Sequence, residues 1–340
     1  MYRNRFADVL KGILIIFVIV LHSDITQTSR QVAGFPFWVN MAVPVFMLIS
    51  GYVSALSLEK HGVNAVEKAY EPLEIIRKLL RFVIPFSIAF FAQWIVFRVA
   101  GLYQVGPIKY GLFALLMDYI QGGKGPGSYY FPIMIQFVFV FPAIYYVIKK
   151  YTYKGLGACF IANGVLEVVK IAFGVSEEEY RLLLFRYLFV IACGCYVAVG
   201  NLQELKKGIL FGGAMLCVVI GLGFTYLFSY TGYVPKMLIY WKETSFVTNL
   251  YLLPLMAWML TKIKCTFAPL EYIGKASFNI FLVQMIYYNF GEQMAALIPN
   301  LTLRVIVDIL FCVGIGVVFY VAESKLTGFV LGKVIIKKNK

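Results

Sequence analysis

The sequence predicts an all-α polytopic membrane protein: a bundle of about ten transmembrane helices with both termini cytoplasmic. Three observations predict it. Of 340 residues, 61% are hydrophobic and 14% charged, and the mean hydropathy is +0.80; a soluble domain is about half apolar and a quarter charged. The apolar runs are numerous, and many approach the roughly 20 residues that cross a hydrocarbon core. Most of the 31 Lys and Arg fall in segments that this topology places inside, as the positive-inside rule expects. The same loops account for the net charge of +14. In a soluble chain that charge would raise nucleic acid as a partner; here a lipid bilayer is the expected partner and no nucleic acid is expected. No stretch is left for a separate soluble domain, so residues 1–340 read as one membrane domain.

In chain order, apolar length places the spans at 6–24, 37–57, 78–99, 129–149, 155–173, 182–200, 207–229, 244–262, 273–292 and 303–323. The first reads FADVLKGILIIFVIVLH from Phe6 to His22. Arg3 and Arg5 mimic a signal-peptide start, but Asp8 and Lys11 interrupt it and no small-residue cleavage site follows His22, so the span reads as retained. The second, NMAVPVFMLISGYV from Asn40 to Val53, carries Pro44 and the pair Ser50-Gly51; these weaken the helix or serve close helix packing. A mixed-charge connector over 58–77 holds His61 and leads to the third span, which opens Arg77-Lys78-Leu79-Leu80-Arg81. The apolar segment 108–121 is too short to cross and suits an interfacial or re-entrant helix. Gly122 to Gly127, GGKGPG, reads as a flexible loop. The fifth span carries Glu167 and Lys170, spaced to pair at i, i+3. The sixth carries Arg186, which has no sequence-local partner. The acidic run Glu177-Glu178-Glu179 falls on an outside loop. The six Cys lie mostly in or at the ends of spans; as small packing residues they point to no disulfide and no metal.

The first span holds the candidate chemistry. An α-helix turns ~100° and rises ~1.5 Å per residue. Lys11 and His22, eleven residues apart, therefore differ by roughly 20° in azimuth and ~16 Å in height. Asp8 lies near the same face, so one polar stripe runs along an otherwise lipid-like helix. Ionisable groups at membrane depth are costly and face a cavity or a partner. Lys78 and Arg81 share a face at an inside boundary, as a snorkelling pair or as a clamp for an anionic ligand. Gln136 and Arg186 are candidate lining residues of an acceptor cavity. Asn40 and Tyr52 are candidate orienters, with helix capping for Asp8 and an interfacial role for Tyr52 as the plainer readings.

Taken in order, the basic residue–ten residues–His spacing of Lys11 and His22, the segment VPVFMLISGY (43–52), the basic-x-x-Arg of Lys78 and Arg81, and IGKASFNIFLVQ (273–284) resemble the acyltransferase 3 superfamily over essentially the whole chain. The resemblance implies an O-acetyltransferase type of enzyme. Such an enzyme moves an acyl group, commonly acetyl from cytoplasmic acetyl-CoA, to a hydroxyl of an extracytoplasmic glycan or lipid-linked saccharide, as in polysaccharide modification. It implies a multi-pass protein of a cell membrane, of the bacterial cytoplasmic kind. His22 would be the catalytic group, with Asp8 and Ser50 beside it as catalytic candidates. Lys11, Lys78 and Arg81 would bind the CoA donor, with no metal. Asn40, Gly51, Tyr52, Gln136, Arg186 and Gln284 complete the candidate substrate cavity. Two positions depart from the pattern. Lys11 stands where Arg is common, which removes bidentate phosphate contact, and Gln284 stands where many members have His. A transporter or flippase for an envelope precursor is the alternative: it would use the same stripe as a pathway, although only the second span is clearly broken.

Overall fold

The structure, a computed structural model, describes residues 4–62, 65–100, 111–199, 207–240 and 242–336, and side chains within them except at 207–211 and 333–336. Among the described residues all regular structure is helical. The principal helices are α1 (Arg5–His22), α2 (Ala42–Glu59), α3 (Pro72–Val99), α4 (Leu112–Ile120), α5 (Tyr130–Ala172), α6 (Leu188–Val199), α7 (Lys207–Tyr226), α8 (Leu252–Lys262), α9 (Ala268–Lys275), α10 (Ser277–Tyr287) and α11 (Leu301–Ile336).

Five stretches among the described residues are helical, long and apolar enough to cross a membrane: Phe35–Glu59, Pro72–Val99, Tyr130–Ala172, Gly212–Thr231 and Leu301–Gly332. The other expected spans are helical but shorter or more charged. α1 carries Arg5, Asp8 and Lys11 within its 18 residues. α6 has 12 residues and follows a 3-10 turn at Leu184–Tyr187. α8 has 11 and follows a 3-10 turn at Thr248–Tyr251. The expected ninth span is divided at Ala276 between α9 and α10. The expected fourth and fifth spans share the 43-residue α5, whose backbone leaves helical geometry at Thr152 (φ 48°, ψ −120°). That left-handed φ is a rare state for a β-branched residue, so the break falls between the two runs, where the hydropathy also falls. α3 starts at Pro72, six residues before the expected boundary, because proline suits the first helical turn and Glu74 favours its N-terminal end. α4 matches the short segment expected at 108–121. Its Leu112, Phe113, Leu116 and Ile120 are exposed, and residues 108–110 lie outside the described residues.

The chain divides into two compact units. Unit 1 comprises 1–21, 25–70 and 140–275; unit 2 comprises 22–24, 71–139 and 276–340.

Unit 1 is built on two helix crossings with reciprocal glycines. A methyl at Gly51 of α2 would lie 2.3 Å from the Ile191 carbonyl oxygen of α6, and one at Gly194 of α6 would lie 1.8 Å from the Leu48 carbonyl oxygen of α2. α1 and α9 repeat the arrangement: Gly12 would meet Leu270 O at 2.2 Å, and Gly274 would meet Asp8 O at 1.8 Å. In each crossing the absent Cβ atoms let backbone touch backbone, the route by which helices associate where no hydrophobic drive separates them from lipid. Gly194→Ala is expected to lower stability by about 2 kcal/mol or more, because a carbonyl cannot move aside as a flexible side chain can. Thermal unfolding in detergent checks this, with Gly213→Ala, which opens onto free space, unchanged beside it.

In unit 2, Phe86 stacks on Phe131 (centroids 3.6 Å), and Tyr119 of α4 packs edge-on to Phe86 at 5.0 Å and to Phe90 at 5.1 Å. These contacts tie α4 to α3 and to the start of α5. α10 and α11 approach closely where Gly316 faces the Ile280 Cα.

The 122–127 loop is not the flexible connector that its composition suggests. Gly122, Gly123, Gly125 and Gly127 all have positive φ, between 80° and 115°, a conformation that glycine adopts without strain. The loop is held from three helices. Gln93 of α3 donates to Lys124 O (2.5 Å) and accepts from Lys124 N (3.1 Å). Gln284 of α10 donates to Pro126 O (3.1 Å). Lys124 Nζ pairs with Asp118 of α4 at 2.8 Å. A methyl at Gly125 would meet Met285 O at 2.2 Å. Glycine here serves tight approach, not freedom.

Candidate active site

The two units hold different parts of the expected site. In unit 1, Lys11 pairs with Asp8, one turn away, at 2.8 Å. Asp8 is buried and stands fourteen residues before His22 in the sequence. Its geometry is that of a counter-ion to Lys11. Arg5, one turn earlier, bonds Glu271 of α9 (2.9 Å), which also holds Lys275 (3.0 Å). The hydrogen bond from Arg5 first, and then that from Lys275, hold the Glu271 carboxyl below the usual carboxylate range.

Of the candidates at residues 40–52, Asn40, Gly51 and Tyr52 meet partners within unit 1. Gly51 lies in the α2–α6 crossing, and Ser50 beside it is half-buried. Tyr52 is buried, and its hydroxyl accepts from Asn4 at 3.0 Å. Asn40 donates to Glu243. Arg186 donates to the hydroxyl of its neighbour Tyr187 and lies over that ring at 4.4 Å. It belongs to a buried cluster. There Glu167 accepts from Lys170, as the i, i+3 spacing predicts, and from Tyr180. Lys170 also sits over the Tyr180 and Tyr240 rings at 4.2 and 5.0 Å. The buried Glu167–Lys170 charges are thus held by paired, hydrogen-bonded and aromatic neighbours.

In unit 2 the last residue of α1, His22, is grouped with the two residues after it. His22 is half-buried, and its ring lies 6.0 Å from that of Tyr288. Ser23 is buried, donating to Asp308 Oδ2 (3.2 Å) with its Oγ 3.1 Å from Tyr288 OH. Asp24 pairs with Arg304 at 3.1 Å. Lys78 and Arg81 lie on α3 of the same unit. Arg77 beside them is paired with Glu74, but among the described residues neither Lys78 nor Arg81 has an ion-pair partner. Lys78 is half-buried and Arg81 exposed. Gln136 bonds back to Pro132 O of its own helix (3.3 Å), and Gln284 anchors the glycine loop.

The arrangement thus offers a half-buried imidazole on a held segment and two neighbouring cations, Lys78 and Arg81, that make no contact ion pair among the described residues. The first suits proton transfer; the second suits a polyanionic ligand. A family model for the acyltransferase domain matches residues 4–323. The chain belongs to the acyltransferase 3 family. No curated protein and no solved structure matches it. Membership favours acyl transfer over transport as the use of the polar groups, and with the apolar helices it makes this a membrane acyltransferase.

Sequence reasoning missed Ser23, Tyr287, Tyr288, Arg304 and Asp308. One signal was available: Arg304 and Asp308 stand four apart on one face of an otherwise apolar helix.

Proposed function

We propose that this acyltransferase moves an acyl group, acetyl in the first place, from a cytoplasmic acyl-CoA to a hydroxyl of an extracytoplasmic glycan or lipid-linked saccharide. The observation that carries the reading is the content of unit 2: the half-buried His22 on a held segment, in the unit that also carries Lys78 and Arg81. His22 takes the proton of the acceptor hydroxyl as its oxygen attacks the thioester carbonyl. The carbon–sulfur bond then breaks and the proton leaves with the CoA thiol. The covalent variant passes the acyl group through the imidazole before the acceptor receives it. Lys78 and Arg81 hold the donor phosphates, and Lys11, balanced by Asp8, contributes less. The charge distribution of the loops supports about ten crossings with both termini cytoplasmic, in a cell membrane of the bacterial cytoplasmic kind.

The test supplies acetyl-labelled acetyl-CoA and cell-envelope glycan to membranes containing the protein. The expected result is label on the glycan that mild alkali releases, as an ester requires. Movement of a saccharide across vesicles with no label transferred would overturn the reading.

A further inference from the structure

α11 is an apolar helix with a fully buried acid in its first third. Asp308 is 2% exposed, and its carboxylate takes hydrogen bonds from three hydroxyls. Tyr287 donates to Oδ1 at 2.6 Å, while Ser23 and Tyr288 reach Oδ2 at 3.2 and 3.3 Å. Ser23 Oγ and Tyr288 OH are themselves 3.1 Å apart, so the three oxygens on that side close a triangle. Among the described residues no Lys or Arg pairs with Asp308. Burying a carboxylate in a membrane protein is costly, and such groups mark function more often than packing; three neutral hydroxyls alone could close a structural contact without one.

The geometry gives the carboxylate an object. Arg304 and Asp308 are one turn apart on α11 and so project from the same face. They hold consecutive residues of the segment that leaves α1: Arg304 holds Asp24 at 3.1 Å and Asp308 holds Ser23. The residue before these two is His22. The ring against His22 is that of Tyr288, whose hydroxyl is fixed by the same carboxylate. Asp308 therefore restrains His22 from two directions, through the chain at Ser23 and through the aromatic wall at Tyr288. We infer that Asp308 is the positioning residue for His22, holding the Ser23 and Tyr288 hydroxyls, and through them the adjoining chain and the aromatic wall, so that the imidazole keeps one orientation. The inference rests on the acyl-transfer reading for its kinetic consequence, but the restraint itself does not depend on it.

Two measurements on the full-length protein in detergent test it. In the transfer assay with acetyl-CoA, Asp308→Asn keeps the size and an acceptor oxygen but loses the charge that binds three donors. It is expected to lower kcat about tenfold with KM for acetyl-CoA within twofold of wild type, and Asp308→Glu is expected to recover part of the loss. The second measurement needs no activity. The chain has only two histidines, His22 and His61, and His61 is exposed in the connector. Diethyl pyrocarbonate labelling read by peptide mass spectrometry gives the His22 rate with His61 as internal standard. Asp308→Asn is expected to raise the His22:His61 ratio at least twofold as the ring is released, and Tyr287→Phe, which removes only the Oδ1 donor, is expected to move it less. An unchanged ratio in Asp308→Asn overturns the inference, as does an equal rise of both histidines, which would report general loosening. Wild-type protein that transfers no label, but whose ratio responds as expected, would sink the acyl-transfer reading while sustaining the restraint.

Discussion

His22→Ala is expected to lose about 10³-fold in label transfer from acetyl-CoA while still binding the donor with an affinity within twofold of wild type. The magnitude is that of general acid–base catalysis, about 10²–10⁴-fold. It falls on kcat because the imidazole acts on the acceptor proton in the transition state, not on the donor in the ground state. The donor phosphates belong to Lys78 and Arg81 in the proposed reaction, so removing the imidazole leaves that contact intact. His61→Ala, in the exposed connector, is the control and is expected to act as wild type. Equal label incorporation by His22→Ala and wild type would remove the residue from the chemistry. A parallel loss in donor affinity would place His22 in binding instead. The variant is not expected to unfold the protein, since the half-buried ring meets Tyr288 at 6.0 Å and the anchoring of this segment runs through Ser23 and Asp24.

Class and family could be read from the chain because their signals are local. Apolar runs, the basic loops and the spacing of Lys11 and His22 need no knowledge of what lies across the fold. The Glu167–Lys170 pair was legible for the same reason: helix geometry puts i and i+3 on one face. What was not legible depends on partners far along the chain. GGKGPG has the composition of a flexible connector, and its rigidity comes from Gln93 and Gln284, the latter about 160 residues away in sequence. Close packing is one of the two readings of Ser50-Gly51 in the sequence, but its partner Ile191, and Gly194 which mirrors it, carry no local signal. Asp308 is one acid in a long apolar run; only its pairing with Ser23 and two tyrosines distinguishes it from a residue at a span's end. Asp8 was the opposite case. Its local partner Lys11, one turn on, is read from spacing alone, and the structure pairs the two at 2.8 Å.

That difference in charge balance leads to the second large effect. Lys11 has Asp8 at 2.8 Å and Arg77 has Glu74, whereas Lys78 and Arg81 have no ion-pair partner among the described residues. A cation in a contact pair gains little from a phosphate, because the new contact replaces one it must give up; Arg81 has no such pair to give up, and Lys78 feels Glu74 one turn away without contact, so both gain more. Lys78→Gln with Arg81→Gln is therefore expected to raise KM for acetyl-CoA by about 10- to 100-fold, on the scale of about 1.5–3 kcal/mol for a hydrogen bond to a charged group, with kcat changed less than threefold. Arg77→Gln is expected to raise it by less than threefold. Salt separates this from a structural effect: Lys78 and Arg81 lie at the surface end of α3, half-buried and exposed, so the wild-type KM should rise with ionic strength and the double variant's should rise less. Arg81→Lys tests the form of the contact, since lysine keeps the charge but not the planar fork that binds phosphate oxygens in pairs; an intermediate KM assigns part of the binding to that fork. If the double variant instead lost kcat at unchanged KM and unchanged salt dependence, the two cations would be acting on the reaction rather than on the donor, and the assignment of the CoA phosphates to α3 would fall.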